Sequence, residues 1–310
     1  MIKGRAPIAK LLNDAAGFSS LEPVSLEAAR AYCRKLAKSH YENFMVASFL
    51  LPRRLKRHFY NIYAYCRISD DLGDEAGDSK MALQLLEQWQ NQLQACYLGQ
   101  SRHPVFIALR ETIEAFDIPM TPFADLLEAF KQDQTKTRYA TFEQLLQYCR
   151  YSANPVGHLV LYLCGYRDQE RQRLSDLTCT ALQLANHWQD IARDLLHLDR
   201  IYLPTEDMQK FYYGEADLRA QIADERFVGL MQWEVARTRE MFDQGLKLSE
   251  MVDSRLSLDI ELFGRCGLEV LRHIEAVGYD VFRQRPTLSK WDHMKIFAET
   301  WWKRRRSSGN

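Results

Sequence analysis

Two segments carry carboxylates at a spacing that suits metal chemistry. The first reads Tyr63-Ala-Tyr-Cys-Arg67-Ile-Ser-Asp70-Asp71-Leu-Gly-Asp74. On a helix, Tyr63, Arg67, Asp70 and Asp74 fall on one face, a stripe of one aromatic, one cation and two carboxylates. The second runs from Gln183 to Asp194, where Gln183, Asn186, Asp190 and Asp194 share a face. Carboxylates four residues apart repel, more strongly when buried, so such a stripe asks for a compensating cation. Hard oxygen ligands favour Mg²⁺, which commonly keeps waters and fills its remaining positions with substrate phosphate oxygens. Two stripes facing each other across a helical cavity would bind Mg²⁺ and, through it, a diphosphate. One acidic stripe is ordinary on a surface helix; two, each continued by amide, arginine or tyrosine, point to a site.

The elements that must hold these stripes are helices. Prolines and glycines bound long stretches with a period near 3.6, and the pattern predicts an all-α chain of about ten helices. Thr121-Pro122 reads as a cap followed by a first-turn proline, and Thr141 with Gln144 and Ser289 with Asp292 read as capping boxes. The run from Phe227 to Gly278 is expected to hold two long helices, with a joint at Leu256-Ser-Leu-Asp259 and a stop at Gly278. Pro155 is expected to kink its helix, free the Tyr151 carbonyl and bring the Asn154 amide beside the cavity. The expectation is one domain over residues 1–310, with 1–20 mobile and 303–310 a basic tail.

Composition narrows the function classes. With 41 basic and 41 acidic residues the chain has no polyanion-binding excess, which argues against nucleic acid as a partner. At 46% apolar with 14 Gly and 9 Pro, it is a packed globular protein. Seven cysteines at long spacings, with no CxxC pair, suit free thiols in a reducing compartment. No HExxH occurs, and the histidines other than His40 are read as structural. No segment reaches the roughly 18 apolar residues of a membrane span, nor does the N-terminus read as a signal peptide, so the expected location is cytoplasmic. Trp301-Trp302-Lys303-Arg304-Arg305-Arg306 joins interfacial aromatics to a basic cluster, which reads either as a solvated tail or as a peripheral contact with the inner face of the cell membrane.

From His40 to about Arg285 the chain resembles the squalene/phytoene synthases, helical enzymes acting on isoprenoid diphosphates. The resemblance rests on the first aspartate segment, on Tyr148-Cys-Arg-Tyr-Ser-Ala-Asn-Pro-Val-Gly157, on Gln183 to Asp194, and on Asp199-Arg-Ile-Tyr-Leu-Pro204. It implies an isoprenoid-synthase-type helical bundle around a central cavity. It further implies Asp70, Asp74, Asp190 and Asp194 as ligands of about two or three Mg²⁺ ions. Arg67 would be a diphosphate contact, Tyr148 and Asn186 polar cavity residues, Arg200 to Pro204 with Tyr202 the start of a flap, and Arg285 a neighbour of the diphosphate. Phe44 and Tyr63 would wall the cavity, with His40, Asn43, Gln183 and Arg193 among the substrate-binding residues.

The chain also departs from the family. The usual R-D-x-x-E-D has Gln189 and Arg193 in place of its Arg/Glu pair, H-S-x-S-F is His40-Tyr-Glu-Asn43-Phe44, and A-G-x-V-G is Ala153-Asn154-Pro155-Val-Gly157. With Arg285-Pro-Thr-Leu-Ser-Lys-Trp-Asp292, these features resemble the hydroxysqualene synthase branch of bacterial hopanoid and squalene biosynthesis. That branch converts presqualene diphosphate to hydroxysqualene with loss of diphosphate and capture of water, using Mg²⁺ and needing no NADPH. Asn154, Asn186 and Tyr148 are the candidates for positioning that water. The implied neighbours in reaction are a presqualene diphosphate synthase and a squalene-forming reductase. Two rivals stand beside this reading. One is a synthase that joins two prenyl diphosphates head to head, and the other is a non-catalytic assembly protein on the same fold.

Overall fold

The computed structural model describes residues 24–39 and 53–307. The expectations for residues 1–20, His40, Asn43 and Phe44 lie outside the described residues. Among those described, the chain is helical throughout, with thirteen α-helices and one 3₁₀ turn and no strand. In chain order they are α1 Leu26–Ser39, α2 Arg53–Asp74, α3 Ser79–Tyr97, α4 Pro104–Phe116, α5 Thr121–Gln132, α6 Phe142–Ser152, α7 Asn154–Leu163 and α8 Gln169–Leu198. There follow α9 Thr205–Lys210, α10 Glu215–Arg219, α11 Glu225–Gly245, the 3₁₀ turn Leu246–Glu250, α12 Ser254–Ala276 and α13 Lys290–Ser307. Among the described residues they form two compact units, one reaching as far as Thr135 and including His158–Arg167, the other of Lys136–Gly157 with the described residues from Asp168 onward.

In the first unit, aromatic packing fixes how α2 is turned. Tyr65, Ile68, Ser69 and Leu72 are buried along one side of the helix. The Tyr65 hydroxyl donates to the Phe123 carbonyl at 2.8 Å, and Trp89 Nε1 donates to Ser69 Oγ at 3.0 Å, tying α2 to α5 and α3. Phe106 and Phe123 meet the Tyr65 ring edge-on. Because this side of α2 is committed to the core, Tyr63, Arg67, Asp70 and Asp74 are turned to the other.

In the second unit the same logic acts on the 30-residue α8. Leu184, Trp188, Ile191 and Leu195 are buried at helical spacing, and Trp188 Nε1 donates to Thr238 Oγ1 of α11 at 2.8 Å. Where α11 ends, it approaches α8 so closely that a Cβ on Gly245 would lie 2.7 Å from the Thr178 backbone nitrogen. Only glycine fits there.

The caps at Thr141 and Ser289 form as the sequence predicts. Thr141 Oγ1 accepts from the Gln144 N–H, and the Gln144 side chain reaches back to the N–H of Ala140. Ser289 and Asp292 exchange bonds in the same way at the start of α13. Gly278, at φ +63°, follows the end of α12.

Three boundaries differ from expectation. Thr121 is the first residue of its helix, and Met120 takes the cap position without a side-chain bond. The joint expected at 256–259 lies at 246–253 instead, because the Asp253 side chain accepts from the N–H groups of Arg255 and Leu256 and so starts α12 earlier. Pro155 does not kink a continuous helix. α6 ends at Ser152 and α7 begins at Asn154, which puts the proline in a first turn where its missing N–H costs nothing.

Candidate active site

On α2, Arg67 is the internal counter-ion. Its guanidinium pairs with Asp71, which is nearly buried, and lies 3.3 Å from Asp70. Asp74 is exposed. The Arg67 Nε is buried with no hydrogen-bond partner, a cationic donor left unsatisfied beside three carboxylates. Asp70 keeps 41% of its side-chain surface open, enough for a solvated ion to reach it. Lost solvation in this crowded recess, with Asp74 and Asp71 nearby outweighing the pull of Arg67, pushes the Asp70 carboxyl up to about 7.

On α8 the neutralising cation comes from far away in sequence. Arg285, 95 residues from Asp190, places Nε and Nη2 on the two oxygens of that carboxylate as a fork, with Nη2–Oδ2 at 3.0 Å. Gln189 positions it. Its buried side chain donates from Nε2 to the Pro286 carbonyl and accepts from Arg285 Nη2 at 3.4 Å. Arg193 is 62% exposed and stands 3.7 Å from Asp190, a weak surface contact. Asp194, one turn on, has its carboxyl pushed up to about 7 by burial and by Asp190, against the opposing pull of Arg193, Arg200 and Arg285.

The remaining candidates in this unit gather around an aromatic cluster. Tyr148 of α6 packs with Tyr139, Tyr202 and His187, and the His187 ring stacks on Tyr202 with centroids 3.6 Å apart. Burial, with Arg200 adding to it, drives the His187 imidazole down to about 3, so it is neutral. Its Nε2 lies 3.3 Å from the Gln183 amide nitrogen, which serves as donor to a neutral ring. The buried Asn154 Oδ1 accepts from Thr180 Oγ1 of α8 at 2.9 Å. Asn186 is exposed.

The segment Ile201 to Pro204, expected to start a flap, is buried and held by its backbone. Ile201 N–H donates to the Thr137 carbonyl at 2.9 Å, and Thr205 and Glu206 donate to Tyr139 and Ala140. At its base, Arg138 joins Asp199 to Glu215, and Arg219 joins the same two acids. Those two guanidiniums hold the Glu215 carboxyl down to about 2.

Three residues of these arrangements escaped the sequence reading. Asp71 stands four residues from Arg67, a spacing visible in sequence, but the acidic stripe drew attention to its neighbours. His187 stands four from Gln183, yet a lone histidine in a helical run gives no signal of its own. The Pro286 carbonyl that receives Gln189 carries no sequence signal.

The carboxylates fit a divalent cation. Burial, with a neighbouring carboxylate adding to it, raises the Asp70 and Asp194 carboxyls, and a hard cation would offset both effects. Among the described residues, the group whose potential ligand atoms all lie within 4.8 Å is a different one, Glu269, His273 and Asp292. Its members are already engaged, Glu269 with Arg272 and Asp292 with Ser289. All seven cysteines are free thiols.

The sequence profile of the squalene/phytoene synthase family matches residues 37–292, more than half of the chain. The chain belongs to this family. It is 31% identical to the phytoene synthase of Arthrospira platensis over 279 residues, covering 84% of this chain and 89% of the relative. It is 30% identical to the hydroxysqualene synthase of Rhodopseudomonas palustris over 259 residues, covering 82% and 84% of the two chains. Among solved structures, that of squalene synthase HpnC from Alicyclobacillus acidocaldarius superposes with a TM-score of 0.79 at 44% identity, covering 86% of this chain and 99% of the other. The all-helical fold is that of the family, and the family acts on isoprenoid diphosphates. No described helix is long and apolar enough to cross a membrane.

Proposed function

We propose that this protein converts presqualene diphosphate to hydroxysqualene in a Mg²⁺-dependent reaction, with loss of diphosphate and capture of water. The observation that carries the reading is the joint change at 189 and 193. Where the family's usual motif has an Arg/Glu pair, this chain uses a buried glutamine to seat Arg285 on Asp190. The likeness to a relative named as a hydroxysqualene synthase supports it.

Asp70 and Asp74, and Asp190 and Asp194, would supply hard oxygens to Mg²⁺. Bound there, the metal would neutralise charge on the departing diphosphate. The partly exposed guanidinium of Arg67 would add a charge-assisted bond to a diphosphate oxygen. The rings of Tyr148 and Tyr202 would present π-faces to a carbocation, and the neutral His187 adds no positive charge to oppose it. Water capture consumes no hydride, so the reaction needs no NADPH.

The rival reading, condensation of two prenyl diphosphates, has its own support in the 31% identity to a phytoene synthase. Presqualene diphosphate and farnesyl diphosphate should be supplied separately, in ¹⁸O-labelled water, with and without NADPH. The proposed function requires labelled hydroxysqualene from presqualene diphosphate without NADPH. Coupling of two farnesyl diphosphates to a hydrocarbon, with no alcohol from presqualene diphosphate, would establish the rival.

A further inference from the structure

The C-terminal helix α13 has two unlike sides. Ile296 and Thr300 are buried, and Arg304 on the same side bonds to the Ser254 carbonyl at 2.7 Å and to Glu261 at 3.2 Å, so the helix is anchored to α12. Among the described residues, no contact covers the other side. Trp291 is 77% exposed, Met294 60% and Trp302 59%, and Phe297 and Trp301 are exposed beside them. At 100° per residue these five side chains fall within an arc of about 140°. A run of exposed aromatics this dense is not an ordinary feature of a soluble surface.

Charge identifies what this face meets. The chain as a whole is neutral, yet from Lys290 to Arg305 there are five basic residues against two acidic ones. Lys290, Lys295, Lys303 and Arg305 are exposed, and the Arg305 guanidinium lies 3.7 Å over the Trp301 ring. Tryptophans with basic residues interleaved are suited to a bilayer interface, where the rings sit at headgroup depth and the cations meet lipid phosphates. We infer that the outward face of α13 is a docking surface for an anionic lipid bilayer. The helix lies along the membrane surface and does not enter it, since its inward side remains packed on α12. This holds whichever isoprenoid product the enzyme makes.

The probe is a vesicle of phosphatidylcholine alone, compared with one containing about 30% phosphatidylglycerol, in sedimentation and tryptophan-emission measurements on the full chain. Of the six tryptophans, Trp89 and Trp188 are buried, Trp233 on α11 is exposed, and the other three lie on α13, so a change in emission that is lost with the α13 tryptophans reports on that helix. The full chain should sediment with the anionic vesicles and shift its emission to the blue. Both effects should be absent with the neutral vesicles and weakened by salt. The triple variant K295Q/K303Q/R305Q should bind about a hundredfold more weakly, at roughly fivefold per basic residue. W291S/W301S/W302S should lose the blue shift while its circular dichroism stays native, and if that variant fails to fold, the charge variant decides alone. Equal binding to both vesicle types, no binding, or a triple variant that binds like the wild type would overturn the inference. So would self-association in the absence of lipid that either variant abolishes, since the face would then belong to a second copy of the chain.

Discussion

The helices α2 and α8 each carry two carboxylates one turn apart, and they manage the repulsion differently. On α2 the only cation described at the carboxylates is Arg67, which lies on the same helix and divides itself between Asp71 and Asp70. Among the described residues Asp74 has no such ion pair, and burial, with Asp74 adding to it, pushes the Asp70 carboxyl up to about 7. On α8, Asp190 receives a two-pronged contact from Arg285, seated by Gln189, while Asp194 is left with its carboxyl raised. A pair of aspartates at the same spacing in sequence can thus be under-compensated on one helix and half-compensated on the other. The difference lies in contacts that come from outside the stripe.

The largest effect expected is on catalysis. Asp70→Asn and Asp190→Asn should each reduce turnover on the diphosphate substrate by on the order of a hundredfold or more, the scale of losing one electrostatic contact to a developing charge. Steady-state rates set beside circular dichroism would separate chemistry from folding. Native-like turnover in either variant would remove that helix from the site.

Next in size is the seat of Arg285. Gln189→Leu leaves the buried Pro286 carbonyl without its donor and should cost about 1–3 kcal/mol in urea denaturation. An unchanged midpoint would mean that Gln189 does not hold the segment. Smaller still is Arg193→Glu, because Arg193 is largely exposed and its contact with Asp190 is long; the change should stay within about 0.5 kcal/mol. A larger loss would show that Arg193 shares the neutralising role with Arg285.

Much of the fold was legible because the rules that made it so are local. The stripes on α2 and α8, the capping boxes at Thr141 and Ser289 and the stop at Gly278 all depend on residues within four positions of one another. What could not be read depends on distance or on competition between local signals. Arg285 reaches Asp190 across 95 positions, and nothing in the spacing of Gln189 announces the Pro286 carbonyl. Pro155 could kink one helix or begin another, and the choice fell to a helix end at Ala153. The joint before α12 moved because Asp253 takes the cap position, where Ser257 and Asp259 offered side chains of equal capping type. The Thr180 hydroxyl that donates to the Asn154 oxygen lies 26 positions away, a contact that local spacing does not announce.

The contrast between the two helices is tested most directly by the thermal stability of the metal-free protein from pH 4 to pH 8. Asp70 has a carboxyl raised in the folded state above its ordinary value of 3.8, so the stability it contributes is greatest below about 4 and is lost as the pH rises through about 7. Asp70→Asn removes that penalty. Its Tm should exceed that of the wild type by a margin that grows from pH 4 to 7 and is level above 8, and excess Mg²⁺ should narrow the margin by stabilising the wild type. Asp190→Asn, which takes away the anion beneath the Arg285 fork, should instead lower Tm at pH 8. Opposite signs for the two variants at pH 8 are the predicted result; a shift of the same sign in both would contradict the account.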